Sequence, residues 1–233
     1  MGGFSNKVDD RGSTSVKHRH SKTLTFLIYC VAYLSGAVFL GLEIVASRVV
    51  APYFGNSIYV WGSLISVFLL ALSIGYYLGG ILADRRPSFK VLSVVIIAAG
   101  IFVLLVPFIQ EPIGLLVSGF DWDLRLAVLL AVSAYFLLPS ILMGMVSPYI
   151  VKLKTTELAA LGQSAGNVYA VSTLGSISGA FLVSFVLITS FGTRAILLGS
   201  GFTLIFIALL CLPCAQLAGQ WRVAGSGDPV SEK

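Results

Sequence analysis

The sequence predicts an all-α integral membrane protein built from six transmembrane helices. Three observations predict it. Of 233 residues, 57% are hydrophobic and only 11% charged, less than half the roughly 25% charged residues of a soluble domain. Six apolar runs recur along the chain, at about 23–46, 60–83, 89–109, 126–151, 166–191 and 194–216. Each is near the roughly 20 residues that a helix needs to cross a bilayer. The stretch Ala165–Gly192 carries no charged residue, and Ser172, Gly175, Ser176 and Gly179 recur along it at helical spacing. Such a stripe of small residues lets a second helix approach to backbone contact. This segment is therefore expected to be an inner helix of the bundle.

The elements follow in order. Residues 1–22 are polar and basic and are expected to be a disordered cytoplasmic tail. His18 and His20 belong to that solvated tail, and no metal site is assigned to them. The apolar run that follows is too long for a signal-peptide core, so it is read as a retained first helix. Between the first two helices, Ser47–Asn56 mixes apolar residues with Pro52 and Gly55. A short interfacial piece and a plain loop both fit it. In the second helix Ala71, Gly75, Gly79 and Ala83 recur every fourth residue and form one smooth ridge. Val67 is expected on a lipid face. The Gly75/Gly79 and Gly175/Gly179 pairs are placed in the cytoplasmic halves of their helices. Equal depth suggests that these two helices pack against each other.

A connection at 110–125 carries Glu111, Asp121 and Asp123, with Phe120 and Trp122 suited to a membrane interface. Pro139 and Pro148 kink the fourth helix, either lining a cavity or as static bends. The spacing of Cys211 and Cys214 matches a redox pair, but its place near the end of a membrane helix disfavours that use. Residues 23–216 form the transmembrane domain, and 217–233 a polar cytoplasmic tail.

Charge sets the orientation. With the N-terminus inside, twelve Lys and Arg residues fall on the cytoplasmic side and three, Arg48, Arg125 and Arg194, on the outer side. The positive-inside rule then puts both termini in the cytoplasm. The net charge of +5 is spread between apolar runs, which is not a nucleic-acid footprint.

Glu43 is the one carboxylate well inside an apolar run. An ionisable residue in a membrane is a functional candidate by default. It reads either as a cation or proton site facing a cavity, or as an interfacial ion pair with Arg48. Tyr169 is a candidate aromatic neighbour of a bound cation, although its expected depth differs from that of Glu43. Asp84-Arg85-Arg86 closes the second helix at the cytoplasmic face. No nucleophile–base constellation, metal cluster, phosphate-binding loop or dinucleotide fingerprint is present, so the chain is not expected to be an enzyme on its own, and no cofactor is expected.

Four motifs carry a resemblance. They are Glu43 with Ser47-Arg48 and Phe54–Tyr59; Leu78-Gly79-Gly80 into Ala83-Asp84-Arg85; Pro139 with Leu142-Met143-Gly144 and Ser147-Pro148; and Gly166 with Tyr169–Gly175, Gly179-Ala180 and Phe191-Gly192. Over about residues 30–192 the chain resembles the membrane domain of fused major-facilitator/spermidine-synthase-like proteins. Asp84-Arg85-Arg86 is similar to the inner-loop signature of major-facilitator transporters, and interfacial anchoring explains the same charges. Six helices with both ends inside match half of such a transporter, whose halves are often inverted three-plus-three repeats. No sequence repeat is visible, and the equal depth of the glycine pairs argues for packing rather than inversion symmetry. Two departures matter. Ser172 stands where the family has Asn, and the chain reaches Lys233 without an aminopropyltransferase domain. The resemblance implies a stand-alone membrane half in a bacterial inner membrane. It would anchor a spermidine-synthase-like cytoplasmic partner and pass a polyamine or related cation. A structural subunit of a larger complex and a homodimeric small transporter are the alternatives.

Overall fold

The computed structural model describes the backbone of residues 10–119, 122–154 and 161–225, and side chains between Thr23 and Leu212 apart from 120–121 and 155–161. Its elements are α1 (Asp10–Phe54), α2 (Ile58–Arg85), α3 (Phe89–Ser118), α4 (Leu124–Lys154), α5 (Gly162–Ser190) and α6 (Thr193–Gly225). All six contain a segment long and apolar enough to cross a membrane. No strand occurs among the described residues. The chain is an all-α membrane protein.

Several boundaries differ from the sequence expectation. The tail is helical from Asp10 onward rather than disordered. The His18/His20 pair and Cys214 lie outside the residues whose side chains are described. Helix α1 runs through Pro52 to Phe54, and the turn falls at Gly55, whose φ of 72° suits glycine. Helix α3 continues through Pro107 and Pro112 to Ser118, so most of the expected 110–125 connection is helix. In α6 the backbone stays helical to Gly225, past the expected start of the polar tail.

Prolines shape α4. Pro139 cannot donate to the carbonyl of Tyr135, and the chain there widens into a π-turn over Ser133–Leu137. Pro148 likewise leaves the Gly144 carbonyl without its usual donor, and α4 breaks at Met145, between Gly144 and Val146. These two irregularities re-aim the C-terminal half of α4.

The glycine ridges correct the expected pairing. Helix α2 lays its ridge on α4. A Cβ at Gly79 would lie 2.7 Å from the Met145 Cα, and one at Gly75 would strike the Ile141 carbonyl and the Gly144 backbone. Ala71 and Ala83 on the same ridge are buried. Helix α5 lays its ridge on α1, with Gly175 over Tyr33, Gly179 over Ala37 and Ser172 against Gly36. The Ser176 hydroxyl donates to the Gly36 carbonyl at 3.1 Å. Each ridge thus meets a different helix. Val67, expected to face lipid, is 2% exposed and belongs to the core.

The packing has an internal exchange. Swapping α1, α2, α3 for α4, α5, α6 turns the α1–α5 contact into α4–α2 and the α1–α6 contact into α4–α3, and leaves α3–α6 in place. Only the minor α1–α3 contact has no counterpart among the stronger contacts. The two glycine ridges are equivalent under this exchange. Their placement therefore follows the three-plus-three pattern that their expected depth had argued against. Helix α1 touches the five others and carries much of the core, including Val31, Leu42, Val45 and Val49.

Candidate functional site

A half-open pocket of about 220 Å³ lies between α1, α2, α4 and α5. Helix α1 supplies Ser35, Phe39 and Glu43, which recur every fourth residue and so share a face. Helix α2 adds Tyr76, α4 adds Gly144 and Ser147 beside its break, and α5 adds Tyr169, Ser172 and Ser176. The close α1–α5 and α2–α4 approaches through glycine bring these four helices together around one space. Glu43 and Tyr169, whose expected depths differ, both line it. The rings of Tyr76 and Tyr169 meet edge to face, with centroids 6.2 Å apart.

Glu43 is, among the described residues, the only charged one lining the pocket. Among the described residues no hydrogen bond or ion pair reaches its carboxyl group. The expected pair with Arg48 is not formed. That pair needed α1 to end between them, but α1 continues to Phe54. Five helical residues turn the chain by roughly 140° beyond a full turn, so Arg48 points elsewhere and is exposed.

The Asp84-Arg85-Arg86 motif stands apart from the pocket. Asp84 pairs with Lys152 of α4 at 2.7 Å, with both side chains largely exposed. Such a pair contributes at most about 1 kcal/mol. Arg85 and Arg86 are exposed. The Tyr149 hydroxyl donates to the Arg86 carbonyl and accepts from the Ser88 N–H at 3.3 Å. On the same end of the molecule, Lys154 donates to the Tyr29 hydroxyl and sits over its ring. The motif therefore belongs to a polar clasp holding the α2–α3 turn and α1 against the end of α4.

A larger cavity, about 490 Å³, lies between α1, α5 and α6. Its walls, among them Leu34, Val38, Leu182 and Ile196, are almost wholly apolar and carry no charge. The smaller pocket is the site with chemistry in it. The sequence reading missed Ser35, Tyr76 and Ser147. The four-residue spacing from Glu43 back through Phe39 to Ser35 would have found Ser35. Tyr76 and Ser147 reach the pocket only through the α2–α4 packing.

These features define a membrane protein with a charged, solute-sized pocket inside a six-helix bundle. Comparison with protein-family models, with curated proteins and with solved structures finds no match for this chain.

Proposed function

We propose that this chain is a membrane subunit that binds an organic cation, a polyamine or related amine, and carries it across the bilayer. The observation that carries the reading is the Glu43 carboxyl group, which has no partner among the described residues yet lines a pocket with hydroxyls and two tyrosine rings. An unpaired charge at membrane depth is costly, and a bound ammonium neutralises it. The Tyr76 and Tyr169 rings add cation–π attraction of about 0.5–2 kcal/mol. In this reading the protein sits in a bacterial inner membrane with both termini in the cytoplasm, as the basic asymmetry favours. A spermidine-synthase-like partner docks at the cytoplasmic end beside the exposed Arg85 and Arg86, and any aminopropyltransferase chemistry resides in that partner.

One observation favours assembly as a homodimer. On the outward faces of α2 and α5, a Cβ at the exposed Gly62, Gly162 or Gly166 would meet no atom within 4 Å. These open small residues suit close approach by another helix, and a second copy would complete the half-transporter-like bundle.

The test is amine binding and flux with the protein reconstituted in lipid. Glu43→Gln keeps the shape and removes the charge. It should lose amine binding and flux while remaining folded and inserted. Wild-type behaviour of this variant would refute the reading.

A further inference from the structure

Deeper in the same pocket lies a polar group that the fold does not use. Ser35 is 6% exposed and lines the pocket, yet its Oγ has no hydrogen-bond partner among the described residues. A helical serine or threonine commonly turns its hydroxyl back to a carbonyl three or four residues earlier. Ser47, Ser178 and Thr203 all do so here. A buried hydroxyl without a partner is destabilising. Its place in the pocket, on the same α1 face as Glu43, gives it a ligand to serve.

Eight helical residues separate Ser35 from Glu43, about 12 Å along the axis, so a ligand that meets both is elongated and polar at two ends. The Tyr76 and Tyr169 rings, also on the wall of this pocket, offer aromatic surface to such a ligand.

We infer that the pocket selects a linear two-ended amine, with one ammonium on Glu43 and a second polar group hydrogen-bonded to Ser35. This rests on the cation reading above and adds a specificity residue to it. Ser35 donates to or accepts from the far end, so that end is an amine or a hydroxyl and not a methyl group.

Three terminally substituted probes with the same number of heavy atoms test it: aminobutanol, diaminobutane and pentylamine. Their affinities are measured by calorimetry on the whole protein in lipid nanodiscs. At least one two-ended probe should bind about tenfold more tightly than pentylamine, the worth of one buried hydrogen bond. Ser35→Ala should erase that preference, leave pentylamine binding unchanged and leave thermal stability no lower, because the hydroxyl has no partner to lose. Pentylamine binding as tightly as both others to the wild type overturns the two-point reading, as does a preference that survives Ser35→Ala. If none of the probes binds the wild type, or Glu43→Gln binds all three equally well, the cation reading itself fails.

Discussion

Gly79→Ala, set against Gly80→Ala, isolates the close packing of α2 on α4. The two glycines are neighbours at one depth of one helix. At Gly79 a Cβ would lie 2.7 Å from the Met145 Cα and 2.8 Å from its carbonyl oxygen. At Gly80 it would meet nothing within 4 Å. Carbon atoms are comfortable at about 3.5–4.0 Å, so the first change pushes α2 and α4 apart by roughly 1 Å. The obstructing atoms are backbone and cannot rotate aside. Overpacking of this kind costs about 1–3 kcal/mol. Both substitutions gain the same helix propensity, about 0.5–1 kcal/mol, so it cancels in their difference. Gly80→Ala should therefore exceed Gly79→Ala in stability by about 1–3 kcal/mol, read as the separation of their unfolding midpoints in mixed detergent micelles. A separation below about 0.5 kcal/mol, the size of an inert surface change, would refute the close approach of the two helices.

Three further outcomes follow from the same contacts. Arg48→Gln should leave both stability and amine binding as in the wild type, because α1 turns Arg48 away from Glu43; a drop in unfolding temperature that Glu43→Gln shares and does not add to would restore the ion pair. Tyr149→Phe removes the hydroxyl that holds the Arg86 carbonyl and the Ser88 N–H and should lower stability by about 0.5–1.5 kcal/mol, with no change expected if the α2–α3 turn is held by other contacts. On the proposed orientation, impermeant thiol labelling from outside should modify a cysteine placed at Ser118, exposed at the C-terminal end of α3, and spare one placed at Ser226; the opposite pattern would invert the topology.

Composition and the six apolar runs were enough to determine the fold class. Apolar length is a local property that a bilayer reads directly, one segment at a time. The four-residue glycine spacing likewise showed which helix faces make close contacts, since periodicity fixes a face. Which helix fills each groove is a non-local choice, and the sequence reading paired α2 with α5 where the structure pairs α2 with α4 and α5 with α1. Depth along a helix says nothing about its neighbour around the bundle. The length of α1 and α3 was also hidden, because Pro52 with Gly55 read as one connection and Glu111 with Asp121 and Asp123 as another, whereas a membrane helix tolerates proline where its surroundings re-satisfy the backbone. Glu43 was conspicuous in the sequence, because a carboxylate in an apolar run needs no structure to be noticed. That it lacks Arg48, and shares a pocket with Ser35, Tyr76 and Tyr169, was decided by the continuity of α1 and by two glycine-mediated approaches. Only the tertiary structure holds those together.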